Sequence, residues 1–379
     1  MTAATRGPQL KILHVLTLNG RNGEYGGPVR VARELCQELN LRGHQTHIIS
    51  GAIIGSEPQP VDDLDESFVL VKPLSQRLKV SSLWSWRLIP SLVKQIKQAD
   101  LIHIHFARDL IPFLSAFLSI ILHRPFMTQT HGMIILDGRL STRLVDLFFT
   151  RPILNKSSSN FVLTEFEAAA VKKIRIKSPS IILPNGVASS KYLNSYQNSK
   201  RRVVFCSRLD KRKGVDKFIK IAESFKNEKI HFEIYGPDGG ELDLVQREIR
   251  KRNISDIIEY RGSLASSEVE NMLKDVDLLV LPSQNEPFPM VILEALAVGT
   301  QVLVMPSCGF AGKLKNFETA FVSETEDLEG LIRNFQKFAS YDFKIKSGKL
   351  IQEFCNSEFG IAKVVDQLLP NYQWSLSRG

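Results

Sequence analysis

The sequence predicts two doubly wound α/β domains of similar size facing across a cleft, and three observations carry that expectation. At 379 residues the chain is too long for one ordinary core. Short apolar runs alternate with helical patterns along its length, which is the mark of parallel βα units. The series is interrupted once, at residues 188–201 (ASSKYLNSYQNSKR), which are polar and aperiodic. The expected organisation is therefore an N-terminal domain over 1–187, a linker over 188–201 and a C-terminal domain over 202–358. Residues 359–379 are expected to form a helix crossing back to the first domain.

The first series opens with an apolar run at 10–16 (LKILHVL), a Gly/Asn-rich loop at 19–28 (NGRNGEYGGP) and a helix over 29–41. The loop is not GxGxxG, so a dinucleotide fingerprint is absent. Gly26 and Gly27 before a helix N-terminus still allow close backbone approach to a ligand. Strands follow at 46–50, 68–71, 101–105 (LIHIH), 126–129, 160–163 and 180–183, with helices at 86–98, 110–122 and 141–156. The second series places strands at 203–207, 231–235, 257–260, 277–281 and 301–305. Its helices fall at 215–225, 241–250, 266–274 and 289–298, and residues 326–372 read as mostly helical, ending at 361–369. Ligands of such sheets bind at the carboxyl ends of the strands.

Residues 281–300 (LPSQNEPFPMVILEALAVGT) are the most informative stretch. A buried strand runs into a polar turn and then a helix closed by Gly299, with Pro289 suited to its first position. The amides of Phe288, Met290 and Val291, backed by the helix dipole, would favour a phosphate. Glu294 is the polar residue on an otherwise apolar helix, and a buried carboxylate needs a partner. It can reach back towards whatever the loop binds, while Glu286 lies in the loop itself. The competing reading is a core helix whose glutamate is satisfied by backbone or a lysine.

Other candidates sit at predicted strand ends. Arg208 and Lys213, in SRLDKRKG, place positive charge beside a glycine that opens a helix and make either a diphosphate clamp or a solvated basic loop. Gly236 (IYGPDGG) and Gly262 (YRGSL) end two further strands. His131, in TQTHGM, can bond a substrate hydroxyl or relay a proton, or be structural. His103 and His105 share one strand face without a third ligand, so no metal site is expected. No GxSxG, HExxH or Walker loop is present.

Composition narrows the class. Hydrophobic content of 43% and charged content of 23% fit a soluble globular chain, and no segment reaches the length of a membrane span. The N-terminus lacks the apolar core of a signal peptide, and Cys36, Cys206, Cys308 and Cys355 show no CxxC spacing. A cytoplasmic home is expected. The net charge of +9 is uneven, with 22 basic against 14 acidic residues in 1–190 and 27 against 26 in 191–379. A basic first half fits an anionic membrane surface or substrate. Without a recognised binding motif, nucleic acid is not expected.

Taken together, the motifs resemble the retaining GT-B glycosyltransferases of family four. PSQNEPFPMVILEALAVGT is similar to that family's PSxxExFxxxxxEAxxxGxPV, and SRLDKRKG, IYGPDGG, YRG, ILPNGV, THG and YGGP occur in the family's order. The resemblance covers nearly the whole chain. It implies transfer of a sugar from a nucleotide-sugar donor to a glycan or lipid-linked acceptor with retention of configuration, in cell-surface polysaccharide or glycolipid synthesis. It implies Arg208 and Lys213 on the diphosphate, Glu294 on the ribose, and Glu286 with residues Phe288, Pro289, Met290 and Val291 near the transferred sugar. Gly26, Gly27 and Gly236 would line the donor, and His131 would contact donor sugar or acceptor. No metal or other cofactor is implied. The alternative within the same fold is a non-catalytic nucleotide-sugar-binding or scaffold protein.

There are two departures from the family pattern, the second of which, by losing an acidic position, bears on the nucleotide contacts. Gln301 stands where the family usually has proline, and residues 307–312 (SCGFAG) replace its VGGxxE segment. For the acceptor side, residues 72–98 combine Arg, Lys, Trp84 and Trp86 with aliphatic residues, and 110–122 is apolar on several sides. Such segments can lie in a membrane interface, so peripheral contact with an anionic inner membrane face is expected.

Overall fold

The computed structural model describes the chain apart from residues 1–7, 22–25, 60, 135–137, 195, 197–199, 310, 316, 318–319, 341–344 and 378–379. It forms two compact units, Met1–Gly186 with Ile361–Gly379, and Val187–Gly360. Most of the glycine-rich loop before the first helix, including Tyr25, lies outside the described residues.

The first unit carries an eight-stranded sheet: β1 (Lys11–Leu18), β2 (Gln45–Ile53), β3 (Glu66–Pro73), β4 (Leu83–Trp84), β5 (Leu101–His105), β6 (Phe126–Gln129), β7 (Asn160–Val162) and β8 (Ser180–Ile182). Their order is β4-β3-β2-β1-β5-β6-β7-β8, parallel except for β4 on β3. The second unit carries β9 (Arg201–Cys206), β10 (Ile230–Tyr235), β11 (Ile258–Gly262), β12 (Leu278–Leu281), β13 (Gln301–Val304) and β14 (Phe321–Val322). These run parallel in the order β11-β10-β9-β12-β13-β14.

Helices of the first series are α1 (Gly26–Leu41), α2 (Leu88–Gln98), α3 (Leu110–Ile121), α4 (Leu140–Val145), α5 (Arg151–Lys156) and α6 (Glu165–Lys173). The second series has α7 (Val215–Ser224), α8 (Leu242–Lys251), α9 (Ser266–Leu273), α10 (Met290–Ala297), α11 (Ala311–Leu314), α12 (Leu328–Ser340) and α13 (Ile345–Phe359). A last helix, α14 (Ile361–Leu376), belongs to the first unit.

The first sheet is covered on both faces, which is why its central strands are apolar nearly throughout. On β1, Leu13 and Val15 enter one core with Ile102 and Ile104 of β5, whereas Leu16 packs on Val29, Ala32 and Cys36 of α1. The period of two leaves His14, His103 and His105 on the α1 side. Tyr372 of α14 is fully buried there, 2.6 Å from His103 Nδ1. The last helix, expected over 361–369, continues through Pro370 to Leu376. Val364, Val365, Leu368, Tyr372 and Ser375 are buried at helical spacing, and that packing outweighs the ~3 kcal/mol cost of an interior proline.

The second unit is built on aromatic packing. Phe218 of α7 lies 5.7 Å from Phe205 of β9 and 5.8 Å from Phe232 of β10, and Phe232 is 5.8 Å from Phe335 of α12. Each fully buried side chain of this kind contributes ~1.5–3 kcal/mol. Residues 188–201, expected as a linker, lie within this unit. Asn194 is buried there and donates to Val276 O at 2.5 Å and Thr300 Oγ1 at 3.1 Å, which fastens the stretch to the ends of α9 and α10. The helix expected over 141–156 is interrupted by a π turn, Asp146–Thr150, between α4 and α5. Buried Asp146 is there held bidentately by Arg108 at 2.7 and 2.9 Å.

Candidate functional site

In the second sheet the chain winds outward from β9 to β11 and then returns to β12 on the other side of β9. The carboxyl ends of β9 and β12 therefore form a topological switch point, the place where open α/β sheets bind ligands. The loop after β9 carries Arg208 and Lys213, and the loop after β12 carries Glu286. Lys213 Nζ lies 2.6 Å from Glu286 Oε2, which also accepts from Ser283 Oγ at 2.9 Å. Both side chains of the ion pair are mostly shielded, at 16% and 12% exposure, so water screens it weakly.

Two glycines bring these loops together. Gly214 has φ 75°, closes the short 3-10 turn Lys211–Lys213 and starts α7; a Cβ on it would lie 2.4 Å from Pro282 O. Gly236, with φ 144°, lets the end of β10 lie against the loop after β9, where a Cβ would meet Ser207 O at 1.8 Å. Arg208 is exposed, its stem against Gly239.

The helix after the Glu286 loop starts one residue later than expected. Pro289 is extended, with φ −75° and ψ 111°, and caps α10, its carbonyl accepting from Ile292 N at 3.1 Å. A capping residue keeps a non-helical ψ while its carbonyl takes the first bond. The amides of Met290 and Val291 are then the ones with no intrahelical acceptor, and Phe288 is the buried residue leading in. Glu294 is buried at 5% exposure. Its charge faces Cys206 at the end of β9 and, with burial the larger cause, pushes that thiol up to about 12. Glu294 thus acts at the same strand end that starts the Arg208 loop.

The segment 307–312 also joins this site. Gly309 N donates to Glu286 O at 2.8 Å and Ser307 Oγ accepts from Asn285 N at 3.0 Å. Glu326 accepts from Ser307 N at 2.6 Å and from its hydroxyl at 3.0 Å. Phe310 lies outside the described residues.

In the first unit, His131 follows β6 with φ 49° and is half-buried. Its Nε2 is 2.7 Å from His105 Nδ1, and His105 Nε2 is 3.1 Å from His14 Nδ1. Burial lowers His14 and His131 to about 3. The His131 turn is gripped by Glu167 of α6, which accepts from Thr130 Oγ1 at 2.5 Å, Gly132 N at 2.6 Å and Leu163 N at 2.7 Å. Burial raises the Glu167 carboxyl above its ordinary range despite these bonds. Gly26 is the first residue of α1 and Gly27 the second, with nothing among the described residues within 4 Å of where a Cβ on Gly27 would stand.

Two family models match the chain in sequence, "Glycosyltransferase Family 4" over residues 25–191 and "Glycosyl transferases group 1" over 194–349. The chain belongs to the GT-B glycosyltransferases.

Among curated GT-B relatives, a D-inositol 3-phosphate glycosyltransferase of Paenarthrobacter aurescens is 23% identical over 181 residues, 45% of this chain and 44% of the relative. The match thus spans less than half of that relative's length. Solved structures agree over nearly the whole fold. A sucrose-phosphate synthase from Thermosynechococcus elongatus superposes with a TM-score of 0.77 at 16% identity, covering 98% of this chain and all of the other. Anabaena HepE in complex with UDP and glucose gives 0.75 at 15%, covering 96% and 100%.

Within this GT-B chain the structure adds residues that the motifs did not single out. Glu326 and Ser307 brace the loop that presents Glu286. The sequence signal that could have found Glu167 is T-x-x-E at 164–167, a helix-start pattern. Thr164 does cap α6, accepting from Glu167 N at 3.2 Å, but the Glu167 carboxylate turns to the His131 loop.

Proposed function

We propose that the chain transfers a sugar from a nucleotide-sugar donor to a hydroxyl of a glycan or lipid-linked acceptor, with retention of configuration, in cell-surface polysaccharide or glycolipid synthesis. The observation that carries the reading is the shielded Lys213–Glu286 pair at the switch point, with the α10 N-terminus on the same loop. A departing nucleoside diphosphate builds negative charge, and Arg208, Lys213 and the Met290 and Val291 amides would stabilise it without reorganising. Glu286 would stand by the transferred sugar and Glu294 by the ribose. Gly236 would admit the donor backbone-close. In the first unit, His131 would bond a hydroxyl of donor sugar or acceptor, and Gly26 and Gly27 allow close backbone approach to a ligand. The charge supplied by Arg208 and Lys213 makes a metal unnecessary in this reading. HepE, solved with UDP and glucose, supports a donor of that class.

The acceptor reading includes peripheral contact with an anionic membrane, for which two surfaces offer exposed apolar side chains. Leu88, Leu92 and Ile96 of α2 are buried, so that helix spends its apolar face on the sheet. On the expected segments Leu74, Leu78, Trp86, Phe117 and Ile121 remain exposed, and a further exposed apolar group lies on α4 and the π turn, at Leu140, Leu144, Leu147, Phe148 and Phe149, beside exposed Arg139 and Arg143. Among the described residues, no helix is long and apolar enough to cross a membrane. An apolar strip flanked by arginines suits an anionic interface. Flotation with anionic vesicles at low salt tests it; failure to float removes the membrane from the proposal.

The donor assignment is tested by thermal shift and slow hydrolysis with UDP-, GDP- and ADP-sugars, on wild type and Glu294→Ala. The expected result is a shift and hydrolysis with one of them that Glu294→Ala loses. No shift, or identical behaviour of the variant, overturns the assignment, and binding without turnover leaves a non-catalytic protein.

A further inference from the structure

Beneath His131 lies a file of buried imidazoles that the donor site does not use. His14 on β1 is paired in register with His103 on β5, and the rings of His14, His103, His105 and His131 stand 4.8–5.4 Å apart in succession. His14 Nδ1 bonds His105 Nε2, and His105 Nδ1 bonds His131 Nε2. His103 is set aside on Tyr372 OH. Among the described residues, His14 Nε2 has no hydrogen-bond partner.

A neutral imidazole carries one N–H and one lone pair, so a file of three neutral rings has only two proton arrangements. If His131 donates from Nε2, His105 must donate from its own Nε2, and His14 is left with an N–H at Nε2 pointing at nothing. In the other arrangement, His14 donates to His105, His105 donates to His131, and the unmatched atom is a lone pair. A buried donor without a partner is the rarer and costlier defect. Protonating a ring would relieve neither end, because burial opposes charge at every ring of the file, and at His103 and His105 the neighbouring histidines oppose it as well.

We infer that His14 and His105 are positioning residues that lock His131 as the Nδ1–H tautomer, so that at the strand edge it donates a hydrogen bond and does not accept a proton. This rests on the reading of His131 as a donor-sugar or acceptor contact. In that role His131 orients a substrate oxygen while the neutral file below keeps its ring from turning or charging. A general base would require the opposite arrangement and an orphaned N–H beneath the sheet.

The test is read on the full chain without any sugar, so it stands apart from the fate of the donor assignment. Histidine labelled with 15N reports which ring nitrogen carries the proton, and the His131 signals are assigned by their loss in His131→Gln. The expected spectrum shows His131 protonated at Nδ1 and neutral from pH 8 down to about 5, well above the lowered value near 3. His105→Asn keeps a donor where His105 Nδ1 stands and should retain that signature. His105→Phe removes the donor, and the single-tautomer signature should be lost. A wild-type His131 protonated at Nε2, a His131 titrating near its ordinary value, or an unchanged signature in His105→Phe overturns the inference.

Discussion

Lys213 and Glu286 come from loops 73 positions apart and meet at 2.6 Å where β9 and β12 lie side by side. Lys213→Ala leaves the Glu286 carboxylate, among the described residues, with Ser283 as its side-chain partner. The expected destabilisation is roughly 1–3 kcal/mol, below that of a fully buried pair because both groups keep some water. Hydrolysis of the nucleotide sugar that shifts the wild type should fall by roughly 100-fold or more, as when one preorganised charge-stabilising group is removed. Rate and melting temperature are read together. Turnover near the wild-type rate in a folded variant would refute the role of Lys213.

Gly236→Ala tests whether the site depends on the close passage of two loops. The backbone there has φ 144° and a new Cβ would lie 1.8 Å from Ser207 O, so either β10 or the Arg208 loop must move. The expected effect is a loss of ~1–3 kcal/mol in stability together with weaker donor binding. Gly27→Ala, where the space is open, is the control and should leave the melt within a degree or two of wild type. Equal melts for the two variants would sink the argument.

Acid sensitivity follows from the histidine file. An unfolded histidine binds a proton below about pH 6.5, whereas His14 and His131 in the folded chain do so only near pH 3. Between those values the unfolded state holds more protons, so stability falls as the pH drops. The contribution is complete above pH 6.5 and is lost on the way down to 3, at roughly 1 kcal/mol per pH unit for each such ring. Urea midpoints at pH 7, 5.5 and 4.5 measure the slope. His14→Phe should flatten it, and an unaltered slope would show that His14 does not contribute.

Much of the fold is legible in the sequence because parallel strands buried on both faces are apolar runs, and the central strands of both sheets read that way. β12 and the helix after it were readable to within a residue, and Glu286, Arg208 and Lys213 stood out as charges at strand ends. What could not be read was which charges meet. Lys213 pairs with Glu286 because strand order brings β9 beside β12, and order is a long-range property. Asn194, in a stretch that reads as a polar linker, is buried because its amide finds Val276 O and Thr300 Oγ1. The histidine file was half visible, since the period of two put His103 and His105 on one face. His14 joins them only through the register of β1 on β5.

Gln301 offers the last prediction. It opens β13, is fully buried, and among the described residues neither its amide nitrogen nor its oxygen has a hydrogen-bond partner. Its backbone pairs with Leu278 of β12, in a layer otherwise made of leucine and valine. An unpartnered amide in such a place costs roughly 1–3 kcal/mol. Methionine has nearly the same length and branching without the polar atoms, and β13 would keep its backbone pairing. Gln301→Met should therefore raise the thermal midpoint by several degrees, with donor-induced shifts unchanged. A lower midpoint would mean that the amide is satisfied in solution. A higher midpoint with weakened donor binding would show that the amide acts on the donor from the amino end of β13, opposite to the loops that carry Glu286 and Arg208.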